Sequence, residues 1–160
     1  MRAPPKAPEL LRLEDQLCFA LYAASRAMTR AYQPLLGPLG LTYPQYLVMM
    51  VLWAEGNASV RALGERLGLD SGTLTPLLKR LQSGGLVRRT RDAQDQRVVN
   101  IRLTPKGVAL RARAKGVPEE LLCRAGFPLR GSGLASLGRL RRALVALTKR
   151  LEDSDSPTHP

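Results

Sequence analysis

Apolar residues at helical spacing along most of the 160-residue chain, two short capped helices joined by a glycine-containing turn, and a following pair of Val-, Ile- and Thr-rich segments around a polar loop predict a mainly helical (α+β) protein built on a winged helix-turn-helix. The length suits one domain with a real hydrophobic core and is short for two ordinary ones. The ends, 1–8 (MRAPPKAP) and 152–160 (EDSDSPTHP), are rich in Pro and charge. They carry too little apolar surface to offset the entropy of ordering them, so both are expected to be disordered tails.

Over about 9–33, Leu10, Leu13, Leu17, Leu21, Ala24 and Met28 recur at helical spacing with no Gly or Pro before Pro34, which predicts a long first helix. Thr42 then offers an N-cap and Pro44 falls in the first turn of an apolar segment, Tyr46, Leu47, Met49, Met50 and Val51, that reaches Trp53 and closes at Gly56 and Asn57. The helix-turn-helix is expected over about 59–83. Ser59 caps a short helix holding Val60, Leu63 and Leu67, and Gly68 stops it. Asp70 caps the second helix, whose Leu74, Leu77, Leu78 and Leu81 follow the i, i+3, i+4, i+7 pattern of one face. Pro76 costs that helix the bond to the Gly72 carbonyl, and a local bend is expected there.

Gly84 and Gly85 close the helix, and a wing follows over 86–103, with strands at 86–90 and 98–103 around RDAQDQR. Thr104 and Pro105 restart a helix as N-cap and first residue, carrying Val108, Leu110 and Ala114. Pro118 bends or ends it before Leu121, Leu122 and Cys123, and 134–151 reads as a final amphipathic helix.

Charge narrows the function. Lys and Arg total 25 against 13 Asp and Glu, a net +12, which draws polyanions such as nucleic acid or an acidic membrane surface. Residues 79–115 hold eleven Lys or Arg against only Asp92 and Asp95, so +9 of that excess lies around the helix-turn-helix and wing, a footprint suited to a phosphate backbone. If the leucines of the second helix face the core, Ser71, Thr73, Thr75 and Lys79, with Arg80 beside them, fall on the opposite side. Their lengths suit base edges and phosphates in a major groove. In the wing, Arg97 lies two residues beyond Asp95 near the loop tip, and Arg91 opens the loop. Either these charges solvate a turn, or Arg97 enters a minor groove with the Asp95 carboxylate holding its orientation.

Other classes find little support. The one histidine, His159, sits in a polar tail, so a His-dependent triad or a zinc site has almost no ligands, and neither catalysis nor a cofactor is expected. No apolar run approaches the roughly 20 residues that cross a bilayer, and no secretion signal is evident, so the expected setting is cytoplasmic and without a membrane partner. In that reducing compartment any disulfide between Cys18 and Cys123 is expected to be transient and regulatory.

The long helix, the helix-turn-helix with DSGTLTPLLKRL, the wing with RDAQDQR, then LTPKG and two more helices resemble the MarR family of bacterial regulators, over about 9–151. The stretch LCFALYAASRAMTRAY followed by LTYPQYLVM is similar to the organic hydroperoxide resistance regulators (OhrR) within it. The resemblance implies a homodimer formed by the first and last helices (about 9–33 and 105–151), binding to a pseudo-palindromic duplex operator, and repression relieved by oxidation of a reactive cysteine. It places Cys18 as that cysteine and Tyr22, Tyr32 and Tyr43 as the tyrosines that contact it.

From the residues alone, a single helical cysteine is commonly an inert small hydrophobe, but Tyr22 at i+4 shares the face of Cys18 and can donate a hydrogen bond to its thiolate. Peroxide oxidation gives a sulfenic acid, which condenses with a second thiol, and Cys123 is the only other one in the chain. Cys123 is either core filler beside Leu121 and Leu122 or, by resemblance to the two-cysteine branch, the thiol of the partner subunit that resolves the sulfenic acid. Two rival functions remain: a MarR-type repressor released by a small aromatic ligand, and a thiol peroxidase using both cysteines.

Overall fold

The computed structural model describes residues 11–127 and 132–154. The tail expected at 1–8 and residues 155–160 of the second tail lie outside them, as do residues 9 and 10 of the expected first helix. The chain divides into two compact units, one ending at Val117 and one beginning at Pro118.

A 3₁₀ turn, Leu13–Asp15, precedes α1, Leu17–Leu36, so the helix begins later than the apolar spacing suggests. Gln16 is extended (φ −82°, ψ 120°) and no side chain caps the break. At its other end α1 runs through Pro34 rather than stopping before it. Pro34 sits in the last turn, where its missing amide costs only one helical bond, while the buried Leu36 and a Gly37 amide bond to the Gln33 carbonyl hold the turn closed. Gly40, at φ 68°, then reverses the chain into α2, Tyr43–Glu55. There Gln45 reaches back to accept from the Thr42 amide at 2.9 Å, and Pro44 lies in the first turn, as expected. Tyr46, Val48, Met49 and Leu52 bury into the core.

The helix pair follows its caps closely. The Ser59 hydroxyl accepts from the Ala62 amide at 3.1 Å to open α3, Val60–Leu67, and Gly68 closes it in the left-handed region at φ 62°, which a Cβ would strain. Asp70 opens α4, Ser71–Ser83, which continues through Pro76 without a break. The Thr75 hydroxyl donates to the Ser71 carbonyl at 2.7 Å, one residue before the Gly72 carbonyl whose helical bond proline removes. Leu74, Leu78 and Leu81 are buried and Leu77 is half-buried, so the predicted leucine face is the core face.

The wing is β2, Val87–Arg91, and β3, Val99–Leu103, antiparallel with Val87 opposite Leu103. A third strand, β1, Asn57–Ser59, pairs with the other edge of β3 and gives the order β1-β3-β2. Sequence reading places only a helix end and an N-cap at 57–59. Three residues carry no periodicity, and the strand exists through its pairing with β3. Ala58, Val87 and Ile101 point into the core shared with α1 through α5.

α5, Pro105–Ala114, opens as predicted on Thr104, whose hydroxyl accepts from the Gly107 amide at 3.0 Å. That turn docks on the chain between α4 and β2. The Thr104 amide donates to the Leu86 carbonyl at 3.0 Å, its hydroxyl to the Gly85 carbonyl at 2.6 Å, and Lys106 Nζ to the Gly84 carbonyl at 2.8 Å. From α2, Trp53 Nε1 donates to the Gly107 carbonyl at 2.8 Å. A Cβ on Gly107 would overlap the Leu86 carbonyl oxygen, so only glycine lets α5 approach so closely.

α5 ends at Ala114, and α6, Val117–Arg124, carries Pro118 in its first turn, where proline is tolerated. In the second unit α7, Ser132–Ser154, extends past 151 to include Glu152 and Asp153, which the composition assigns to a tail. No single described helix is long and apolar enough to cross a membrane.

Gly107→Ala is expected to destabilise the protein by at least about 2 kcal/mol, because the clash is with backbone and cannot be relieved by a rotamer. Gly116, with nothing within 4 Å of its virtual Cβ, is the control. Gly116→Ala should leave stability unchanged or raise it by up to about 1 kcal/mol. Urea denaturation of both variants with equal m-values checks the pair.

Candidate nucleic-acid interface and cysteine site

The first turn of α4 is built by Asp70. Its Oδ1 accepts from the Thr73 amide at 2.8 Å and its Oδ2 from the Thr73 hydroxyl at 2.9 Å. These bonds stabilise the ionised carboxylate and hold its pKa below the usual value. Ser71, Thr73, Lys79 and Arg80 stand exposed and Thr75 half-buried, on the side away from Leu74, Leu78 and Leu81. The two threonine protons are spent within the helix, so Thr73 and Thr75 face outward as acceptors and methyls, while Ser71, Lys79 and Arg80 keep their donors.

The wing loop is organised by a residue that sequence reading counted only as charge. Asp92 Oδ1 accepts from the amides of Gln94 at 2.9 Å and Asp95 at 3.4 Å, and its Oδ2 from Asn100 Nδ2 at 3.0 Å. The amide bonds, then Asn100 and the nearby Arg102 charge, hold its pKa below the usual carboxylate range. An aspartate opening a polar loop is the residue type that closes such turns, and that was the available signal.

Asp95 does not hold the guanidinium of Arg97. Its Oδ1 accepts instead from the Arg97 backbone amide at 2.9 Å, which fixes the chain at the tip and leaves the side chain to project. Arg97 and Arg91 are both exposed, and neither side chain forms an ion pair among the described residues.

Cys18 is exposed in the first turn of α1, its thiol donating a weak 3.9 Å bond to Gln16 Oε1. Tyr22 lies one turn on. Its hydroxyl accepts from Arg26 Nη1 at 2.8 Å, and the guanidinium sits 5.5 Å above its ring. Tyr32 and Tyr43 do not share that end of the helix. Fourteen residues at 1.5 Å rise put Tyr32 about 21 Å along α1 from Cys18. There it stacks on Tyr43, with ring centroids 4.6 Å apart, and meets Tyr46 at 5.8 Å. Burial and the neighbouring phenols push Tyr32 up to about 12, and burial raises Tyr43 and Tyr46, so all three are neutral donors at pH 7. Tyr46 continues the row to Trp53 at 6.1 Å, a contact that its place in an apolar run does not reveal. In the second unit Cys123 is exposed on α6 rather than packed with the buried Leu121. Both thiols are free.

The wing turn should be acid-sensitive. The folded pKa of Asp92 lies below its unfolded value, so its contribution is complete above about pH 4 and is lost as pH falls through the lower folded value. Amide exchange protection at Gln94 and Asp95 is expected to be flat from neutral pH down to about pH 5 and to fall below about pH 4. In Asp92→Asn that acid step should vanish, with weaker protection throughout.

Residues 41–99 match the MarR family. The chain is 50% identical over 112 residues to the organic hydroperoxide resistance transcriptional regulator of Bacillus subtilis, covering 70% of this chain and 76% of that protein. Among solved structures, reduced AbfR of Staphylococcus epidermidis bound to DNA superposes with a TM-score of 0.75 at 34% identity, over 89% of this chain and 96% of that one. Disulfide-formed AbfR gives a TM-score of 0.59 at 34% identity, over 86% and 95%. The helix pair, the wing within its three-stranded sheet and these likenesses agree, and the chain belongs to the MarR family of transcriptional regulators.

Proposed function

We propose that this regulator is a homodimeric, DNA-binding repressor of a pseudo-palindromic operator that is released when an organic hydroperoxide oxidises Cys18. The observation that carries the reading is the pairing of an outward polar and cationic face on α4 with a wing whose Arg97 guanidinium is free while its backbone is pinned. In this reading α4 enters the major groove, with Ser71, Thr73, Thr75, Lys79 and Arg80 toward bases and phosphates. Arg97 reaches the minor groove, and Arg91 supports the loop. AbfR bound to DNA supports it.

Dimerisation is supported by large apolar side chains that the single chain leaves exposed, Leu17, Phe19 and Met28 on α1 and Leu140, Leu144 and Leu151 on α7. It also bears on the cysteine. With Tyr32 about 21 Å along α1 and Tyr43 stacked on it, the phenols proposed to meet Cys18 belong to the second copy. As neutral donors they hydrogen-bond the thiolate and the oxygen it acquires. In the reaction Cys18 Sγ attacks the terminal peroxide oxygen, the S–O bond forms as the O–O bond breaks, and the alcohol leaves with the thiol proton. The partner subunit's Cys123 thiol then attacks the sulfenic sulfur, forming the disulfide and releasing water. Exposure of both thiols, the hydroperoxide-resistance relative and the disulfide form of AbfR support this sequence.

Arg97→Ala should weaken operator binding at least about fivefold and flatten its salt dependence, while melting stays unchanged, because the exposed tip packs nothing. Fluorescence anisotropy over a salt series measures it, and equal affinity across the series sinks the minor-groove role.

For the thiols, an operator gel shift with cumene hydroperoxide should show release that excess dithiothreitol reverses. A phenolic acid in place of peroxide should leave the complex intact, and release by it would favour the small-ligand reading. Cys18→Ser should bind DNA normally and ignore peroxide. Cys123→Ser should lose the covalent dimer on non-reducing gels and recover poorly with thiol, as Cys18 over-oxidises. Release of Cys18→Ser by peroxide defeats the sensing role, and a covalent dimer of Cys123→Ser defeats resolution by Cys123.

A further inference from the structure

The sheet of the wing has two faces. Val87 and Ile101 occupy the inner one, and alternation turns Arg88 and Thr90 of β2 and Asn100 and Arg102 of β3 to the other. On that outer face Arg88 lies directly opposite Arg102 and Thr90 opposite Asn100. The loop curls over these residues, so that with Arg91 and Asp92 they line an open concavity of about 550 Å³.

The arrangement is unfavourable as it stands. Like charges directly opposite on neighbouring strands repel, and both arginines are exposed with no hydrogen bond or ion pair from either guanidinium among the described residues. The one carboxylate present, Asp92, has its oxygens committed to the Gln94 and Asp95 amides and to Asn100. It builds the wall of the concavity and offsets the charge of Arg102 only in part, since three arginines, Arg88, Arg91 and Arg102, line it with one carboxylate. Two arginines at directly opposite positions, with a threonine hydroxyl two residues along the strand, supply several donors to one concavity, and a guanidinium can take phosphate oxygens in a bidentate manner.

We propose that the outer face of the wing sheet is a phosphate-binding site, with Arg88 and Arg102 as its clamp and Asp92 and Asn100 as its positioning residues. Arg88 sits at the base of the hairpin, about 10 Å of strand below Arg91 and farther still from the tip residue Arg97. With the tip in a minor groove, the clamp meets backbone phosphates outside the operator core. The inference rests on the DNA-binding reading only for the source of the phosphate, which is either this flanking backbone or a free phosphate compound.

The test uses the full-length protein, wild type and Arg88→Gln/Arg102→Gln, with two duplexes: the footprinted operator core, and the same core extended by about ten base pairs on each side. The wild type is expected to bind the extended duplex about tenfold more tightly at low salt, with a log–log salt slope steeper by between one and two. The double variant should bind both duplexes alike and the core as the wild type does. In parallel, inorganic phosphate is titrated at constant ionic strength against sodium chloride, following the Asn100 side-chain amide by NMR and the melting temperature.

Loss of the flank advantage in the double variant supports the site with DNA as the source. A saturable Asn100 shift and a phosphate-dependent melting increase, both absent from the variant, support it with a free phosphate compound as the source, even if operator binding fails altogether. If neither response separates the variant from the wild type, or if the variant loses core and extended affinity by the same factor with no phosphate response in either protein, the proposal is overturned. Relief of the like-charge pair should leave the variant at least as heat-stable as the wild type in low-salt chloride, so misfolding is recognised directly.

Discussion

The contact between the start of α5 and the chain that links α4 to β2 is the point on which the arrangement of the helix pair and the wing depends. Thr104 donates with both its amide and its hydroxyl to the Gly85–Leu86 carbonyls, Lys106 reaches the Gly84 carbonyl, and Trp53 of α2 holds the Gly107 carbonyl from the other side. The last carbonyls of α4, which have no partner within the helix, are taken by the amides of the turn itself, Gly84 to Arg80, Gly85 to Gln82 and Leu86 to Leu81. The carbonyls that this turn leaves at Gly84, Gly85 and Leu86 are satisfied by the next helix. One knot therefore ties the end of α4 to the base of the wing, and glycine at 107 permits it, since no other residue brings the backbones so close.

From that knot outward the molecule becomes steadily less constrained. The inner sheet face and the leucine face of α4 are buried, while the wing tip is held only by hydrogen bonds around Asp92 and Asp95. Such a tip keeps its backbone shape without packing. In the proposed DNA-binding reading, the Arg97 side chain mounted on it would have no protein ion pair to give up on meeting a phosphate, which would lower the cost of association. In the proposed phosphate site the same would hold for Arg88 and Arg102, whose mutual repulsion in the free protein would be relieved by an anion placed between them.

The aromatic row performs a different task. Tyr32 and Tyr43 stack where α1 meets α2, and Tyr46 and Trp53 carry the contact along α2 to the knot at Gly107. The two ends of α1 thus sit in unlike environments. Its C-terminal end is anchored through Leu36 and the tyrosines, and its N-terminal end, with Cys18, is exposed along with Leu17 and Phe19. In the proposed dimer, this end of α1, with its thiol among uncovered apolar side chains, is the part that would meet the second chain.

Much of this was legible in the residues. Caps at Thr42, Ser59, Asp70 and Thr104, stops at Gly56 and Gly68, and the leucine row of α4 located the helix pair and α5, because those signals act within one turn of chain and need no distant partner. The outward placement of Ser71, Thr73, Thr75, Lys79 and Arg80 followed from the same periodicity. What sequence could not supply depended on residues far apart meeting. β1 is a strand only because β3 runs beside it, and α1 survives Pro34 because Leu36 finds a core. Asp95 bonds the Arg97 backbone rather than its side chain, and the pairing of Arg88 with Arg102 is set by the register of the hairpin. Local propensity is written in neighbouring residues and can be read there. Register, burial and the partner of a charge are settled by the free energy of the whole assembled core, so only the tertiary structure decided them.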